Sequence, residues 1–436
     1  MDDWYEFFFA RDNFESHRIP GQAETYFKLD KMRELCRLAG EPARAARFIH
    51  IAGTNGKGST CFFLEQGLLA AFEKSARIGL FMSPHVESAC ERIRIDGQSV
   101  SEVEMRWAAE KIAEYIPPEL NATCFEALLL AALLLFEKHA CGWIILETGI
   151  GGRLDATNIF TPELCILTPI ALDHVPLLGT SLPEIAREKA GIIKPGVPVL
   201  CARQDPAARE VIQARCLELG APHYEIAGYT ARELGFAGTL LTRDDGTAWQ
   251  TKMPGMEQAA NLELALAALS LLHAGSGHKE SALADPPAPN RFRARLLAES
   301  LPARLEYCAG EPAYLIDGAH NPAALANLAG FIARRREEGR IQNCAVITAM
   351  MADKDIAANM RIIGSFADTL IITTLPLERA AGIAELERHI RAEVRYTRAR
   401  TPPEALAYAR EEAAKNNALI VIAGSFVLTG VLRGQI

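Results

Sequence analysis

Phe48-Ile49-His50-Ile51-Ala52-Gly53-Thr54-Asn55-Gly56-Lys57-Gly58-Ser59-Thr60 is the stretch on which the fold turns. A short apolar run, Phe48 to Ala52, reads as a buried strand. Phe62 to Phe72 then carries apolar residues at helical spacing. A glycine-rich turn between strand and helix lets backbone N–H groups converge on an anion. Lys57 adds a point charge, and Ser59 or Thr60 offers a hydroxyl to a hard cation. A tight turn alone would not ask for lysine between two glycines. The usual phosphate-loop pattern is broken twice: Ile51 stands where its first glycine belongs, and Gly58 separates the lysine from the hydroxyl residue. Those departures argue against an ordinary kinase or GTPase, not against phosphate binding.

Outward from this loop, short apolar runs alternate with amphipathic stretches, as in strands and crossover helices on a largely parallel sheet. Trp143 to Leu146 and Cys165 to Thr168 are further strands. Ala274 to Asn290, with Asp285-Pro286-Pro287-Ala288-Pro289, interrupts the rhythm and marks the approach to a linker. Strands resume at Tyr314 to Ile316, Ala345 to Thr348, Leu370 to Thr373 and Leu419 to Ala423. The expectation is an α/β protein of two domains, 1–298 holding the phosphate loop and 299–436 forming a smaller Rossmann-like α/β unit. A chain of 436 residues is too long for a single core, and no solenoid repeat is evident.

Composition narrows the function classes. A formal net charge of −8 supplies no broad basic field for nucleic acid or anionic membrane, although a local basic pocket for phosphates remains open. The ten cysteines lie far apart, without zinc or redox spacing, and read as reduced buried thiols. The apolar patch Trp4 to Ala10 is too short and too charged for a signal peptide. The apolar run Ala127 to Phe136, bracketed by Glu126 and Glu137, suits a buried helix and not a membrane span. These features make the cytoplasm the default location and leave room for a small anionic substrate; the chain is taken as a monomer.

Several residues invite chemistry. Glu147 ends an apolar strand, where open α/β sheets bind ligands, and glycines follow it. It is placed to hold magnesium as a Walker-B acid does. His174 follows another strand, but a lone histidine is as often structural. Lys189 lies in the last turn of a short helix opened by Ser181 and Glu184 at capping-box spacing, where a cation complements the helix dipole. Glu126 is explained without catalysis, because Thr123-Cys124-Phe125-Glu126 is itself a capping box. Phe125 is either a core aromatic or the lining of a ring-binding pocket.

Taken together the motifs resemble the Mur ligase superfamily, and within it the folylpolyglutamate synthase and dihydrofolate synthase family. The resemblance rests on Gly53-Thr54-Asn55-Gly56-Lys57-Gly58-Ser59, Ser83-Pro84-His85, Glu147 to Asn158, Leu172-Asp173-His174, and Glu188 to Gly196. It continues through Asp317-Gly318-Ala319-His320-Asn321-Pro322, Asp353-Lys354-Asp355 and Gly424-Ser425, covering about residues 20 to 430 in order. It implies an ATP- and magnesium-dependent ligase that joins L-glutamate to a dihydropteroate or reduced folate carboxylate through an acyl phosphate, both acceptors being used. By the same resemblance, Gly53 to Thr60, Asn261, Arg304 and Asp317 bind ATP, and Ser83, Glu147 and His174 bind one or two magnesium ions. Lys57, Lys189 and His320 act in catalysis, Lys189 as a carbamate and His320 near the incoming glutamate. Two positions depart from the family pattern: Ala303 replaces a glycine and Glu257 a histidine, while Gln258 and Asn261 persist. The competing readings are a related ligase acting on peptidoglycan precursors and a catalytically silent nucleotide-binding regulator.

Overall fold

A computed structural model describes residues 3–13, 28–72, 75–226, 228–274 and 286–436. Its first sheet has eight strands in the order β4-β3-β2-β5-β1-β6-β7-β8. They are β1 (Arg47–Ala52), β2 (Arg77–Phe81), β3 (Ile93–Ile95), β4 (Gln98–Ser99), β5 (Cys141–Glu147), β6 (Leu164–Leu167), β7 (Val199–Cys201) and β8 (His223–Glu225). From β2 to β8 neighbours run parallel, whereas β3 and β4 join antiparallel at one edge. Central strand β1 pairs with β5 on one side and β6 on the other, and every residue of it after Arg47 is buried. That explains the unbroken apolar reading of Phe48 to Ala52, because a parallel strand covered on both faces shows no alternation.

The helix Cys124–Lys138 is buried from Ala127 through Phe136, as expected of a core helix. Among the described residues no helix is long and apolar enough to cross a membrane.

A small sheet, β11-β10-β9, follows, made of β9 (Tyr229–Glu233), β10 (Thr239–Arg243) and β11 (Ala248–Thr251). The last sheet has the order β12-β13-β17-β14-β15-β16. Its strands are β12 (Glu306–Cys308), β13 (Tyr314–Ile316), β14 (Asn343–Thr348), β15 (Thr369–Ile372), β16 (Arg395–Arg398) and β17 (Ala418–Ala423), all parallel except β12 against β13.

Internal contacts divide the chain into two compact units. One border falls between Ala298 and Glu299, but residues 231–240 and 250–258 also belong to the second unit, which the sequence reading assigned wholly to the first. The physical reason is local. Glu233 is buried against Arg334 (2.7 Å) and Arg335 (3.1 Å) of the helix Pro322–Glu337, and Phe236 stacks on Tyr307 at 4.0 Å. Most of the linker expected between Ala274 and Asn290 lies outside the described residues. Its end does not: Pro289 already opens the helix Pro289–Ala298.

Candidate active site

In a parallel sheet the loops after adjacent strands crowd together at the carboxyl edge. Strands β2, β5, β1 and β6 are consecutive in the sheet, and the segments leaving them carry Ser83, Glu147, the loop from Gly53, and His174.

The loop from Gly53 is built by close approach. A Cβ on Gly53 would stand 1.8 Å from Thr168 Oγ1. Gly56 sits at φ +87°, and a Cβ there would meet Asn261 Oδ1 at 2.2 Å. Thr54 clamps the loop to the segment after β6: its hydroxyl donates to Ala171 O and accepts from Ala171 N–H, both at 3.0 Å. The N–H groups of Thr54 and Asn55 donate to Pro169 O at 3.0 and 3.3 Å. These two amides are therefore spent on the scaffold. The first helical bond runs from Thr60 N–H to Gly56 O at 2.9 Å, so the N–H groups of Lys57, Gly58 and Ser59 form the open first turn of the helix Lys57–Phe72.

Lys57 Nζ lies 4.0 Å from Glu147 Oε1, and Glu147 Oε2 accepts from Ser83 N–H at 3.0 Å. Glu147 is buried, 3% exposed. Ser83, Glu147 and Lys57 are thus brought together. Lys189 is buried too, and its Nζ donates to Gly53 O at 2.7 Å. The helix-terminal lysine therefore reaches the first glycine of the loop. His174 occupies the αL region (φ +50°) on the loop after β6, and its own N–H donates to Asp173 Oδ1 at 2.8 Å. Among the described residues no three His, Cys, Asp or Glu side chains converge on one point. A hydroxyl, one carboxylate and one imidazole suit a hard divalent ion that keeps water and phosphate ligands. They do not suit a closed zinc cage.

Beside this edge is a cavity of about 630 Å³ including its mouth. Phe125, Ile150 and Leu154 give it apolar walls, and Lys28, Arg92, Glu126 and Asp155 add charge. Glu126 does cap its helix as the sequence indicated: its Oε2 accepts from Thr123 N–H at 2.8 Å. The same carboxylate pairs with Lys31 (2.8 Å) and lines the cavity, a second role that capping chemistry concealed. Asp12 and Asn13, also lining residues, were not singled out in the sequence, since nothing local marks them.

In the second unit, Arg304 lies over the ring of Phe426 at 4.4 Å, and His320 packs on the same ring at 5.6 Å. His320 Nδ1–H donates to Gly318 O at 2.9 Å, the tautomer being assigned from the carbonyl partner. Asp317 is occupied differently from expectation. Its Oδ2 accepts from Leu305 N–H (2.7 Å) and its Oδ1 from Ala319 N–H (2.8 Å), so its carboxylate braces two loops. Burial pushes that carboxyl up, with Arg304 and the two N–H donors opposing. Ala303 and Leu305 both have positive φ, +53° and +48°. Ala303 therefore holds a backbone shape that glycine adopts at less cost. Half-buried Glu257 is pushed up to about 7, mainly by burial, with Asp317 and Glu233 adding to it.

Fold and loop define a class, an α/β phosphate-binding protein whose second unit matches, over residues 303–426, the family "Mur ligase, glutamate ligase domain". The chain is 31% identical over 372 residues to the Bacillus subtilis dihydrofolate synthase/folylpolyglutamate synthase, covering 81% of this chain and 82% of that one. Mycobacterium tuberculosis folylpolyglutamate synthase, solved with ADP, superposes with a TM-score of 0.81 at 28% identity, covering 94% of this chain and 96% of that one. The Yersinia pestis bifunctional enzyme, solved with AMPPNP and a manganese ion, gives 0.78 at 29% identity, covering 96% and 95%. The chain belongs to the dihydrofolate synthase/folylpolyglutamate synthase family. Membership decides against the peptidoglycan branch.

Proposed function

We propose that the chain is an ATP-dependent ligase that forms an amide between L-glutamate and the carboxylate of dihydropteroate or a reduced folate. One observation carries this reading: the end of β5 and the turn directly after it serve two places. Glu147 faces Lys57 of the phosphate loop, while Gly149 and Ile150 line the cavity. A terminal phosphate at Lys57 and an acceptor in the cavity are then addressed together. The apolar walls, with Phe125 among them, suit a flat heteroaromatic ring.

The acceptor carboxylate attacks the γ-phosphorus and ADP leaves, giving an acyl phosphate. The α-amine of glutamate attacks the acyl carbon, and inorganic phosphate departs with the former carboxylate oxygen while the amine proton goes to solvent. Such chemistry asks for placement and charge neutralisation more than for a protein nucleophile. Gly53 to Thr60 cradle the phosphates, chiefly through the amides of the open first helical turn, and Lys57 supplies the charge. Ser83, Glu147 and His174 would hold magnesium, which when bound neutralises the transferring phosphoryl group. Asn261, from beside Gly56, and Arg304 bind ATP, and Asp317 assists by holding the loop that carries Arg304.

His320 lies near the incoming glutamate, in keeping with the glutamate ligase match over this unit. Residues 1–298 carry the phosphate loop and the pterin cavity, and 299–436 bind glutamate, with Arg304 the residue of that part that also serves ATP. Lys189 is carbamylated in the working enzyme: its neutral amine attacks carbon dioxide, forming an N–C bond and releasing one proton to solvent, which leaves one N–H, enough to keep the bond to Gly53 O, and adds a carboxylate. The enzyme is a cytoplasmic monomer. Product mass after incubation with ATP, magnesium, glutamate and each pterin acceptor tests the reading. One added glutamyl residue on both acceptors supports it, and ATP hydrolysis without a conjugate overturns it.

A further inference from the structure

His50, on β1 just before the phosphate loop, is buried with 2% exposure. Its Nε2 lies 2.8 Å from Thr157 Oγ1, which is also buried. That hydroxyl lies 2.5 Å from Asp155 Oδ1, and Thr157 N–H donates to the same oxygen at 3.0 Å. A hydroxyl has one proton, and a carboxylate oxygen accepts only. Burial pushes the Asp155 carboxyl up, but the Thr157, Ile150 and Gly149 donors around it oppose this; with Asp155 as the carboxylate, Thr157 donates to it and accepts from His50 Nε2–H, the tautomer being assigned from these partners. Burial pushes the ring down to about 3, so it stays neutral. The other oxygen of Asp155 accepts from Gly149 N–H at 2.9 Å and Ile150 N–H at 3.0 Å. Gly149, Ile150 and Asp155 all line the cavity.

An unbroken chain of hydrogen bonds thus runs from the strand that ends in the phosphate loop to one wall of the cavity. His50 stands between Ile49 and Ile51, both fully buried, so its ring is desolvated at a cost that its hydrogen bond must offset. What a satisfied buried polar chain adds is one fixed geometry. We propose that His50 and Thr157 are positioning residues that hold the wall formed by Gly149, Ile150 and Asp155 in place against the phosphate loop, and so set affinity for the acceptor. This rests on the reading of the cavity as the pterin site.

The test is a split between KM values in paired variants of the full chain. Thr157→Val keeps the shape and removes the hydroxyl, and His50→Leu removes the donor. Thr157→Ser keeps the hydroxyl, and His50→Gln keeps an N–H at similar reach. Thr157→Val and His50→Leu should raise KM for dihydropteroate or reduced folate roughly tenfold, the size of one or two lost hydrogen bonds. KM for ATP should stay within about twofold, and the conservative variants should lie close to wild type. An unchanged acceptor KM in folded Thr157→Val, or equal rises for ATP and acceptor, overturns the proposal. Where Thr157→Val does not fold, His50→Leu against His50→Gln decides by the same split. Failure of the wild-type chain to bind either acceptor overturns the functional reading, and this inference with it. That outcome is distinct from a wild type that binds and variants that bind equally well.

Discussion

Gly56→Ala probes the phosphate loop where its geometry is tightest. Gly56 sits at φ +87°, and an alanine Cβ would come within 2.2 Å of Asn261 Oδ1 and 3.1 Å of its Cγ. An L-residue in a left-handed conformation costs about 1–2 kcal/mol. The Asn261 amide, buried at 3% exposure, must also withdraw by roughly 1 Å to reach ordinary contact, which costs about one hydrogen bond, ~1 kcal/mol. The sum is a loss of about 2–3 kcal/mol. Because Asn261 and the amides after Gly56 are the proposed ATP contacts, nucleotide affinity should fall at least roughly tenfold, as one displaced polar contact implies. Chemical denaturation gives the first quantity and titration calorimetry with a non-hydrolysable ATP analogue the second. Adding Asn261→Ala removes the clash, so stability should recover by about 1 kcal/mol relative to the sum of the single variants. A Gly56→Ala chain with wild-type stability and nucleotide affinity, or strict additivity in the double variant, refutes the reasoning.

Lys57→Ala should abolish ligation, a loss of roughly a thousandfold or more in kcat, while the folded baseline in circular dichroism is retained; near-normal turnover would remove the phosphate-loop assignment. Glu257, raised to about 7, contributes stability that is fully present below about pH 4.5 and is lost as pH rises through 7, because the unfolded carboxyl ionises first. Glu257→Gln should therefore gain about 1–3 kcal/mol on wild type between pH 5 and pH 8, and parallel stability curves would contradict this. Ala303→Gly should stabilise the chain by about 0.5 kcal/mol, since relief of the +53° backbone outweighs the added freedom of glycine when unfolded; a measured loss in urea denaturation would count against it.

The core of the site was legible because it is local. Strand, glycines, lysine and helix follow one another from Phe48 to Phe72, and Glu147 is flagged by the end of its strand. The capping box at Ser181 and Glu184 was also readable, and it places Lys189 on its helix. That Lys189 reaches back to Gly53 was not readable, since the pairing joins segments that meet only in the folded sheet. The cavity has the same difficulty, as Asp12, Arg92, Phe125 and Ile150 come from separate stretches of chain. Glu126 shows a different failure: one sufficient local explanation hid a second use of the same carboxylate. Asp317 shows the reverse, because a conspicuous acid at a strand end turns out to have both oxygens on backbone N–H groups. His50 carried no signal at all, being a lone polar residue in an apolar strand.

The central claim is that the acceptor carboxylate is activated by phosphorylation at the loop from Gly53 to Thr60. Dihydropteroate labelled with oxygen-18 in its carboxylate tests this directly, with mass analysis of the phosphate released during ligation to glutamate. Attack on the γ-phosphorus carries one labelled oxygen from the acceptor into inorganic phosphate for each amide formed. Amide formed with unlabelled phosphate would contradict the account.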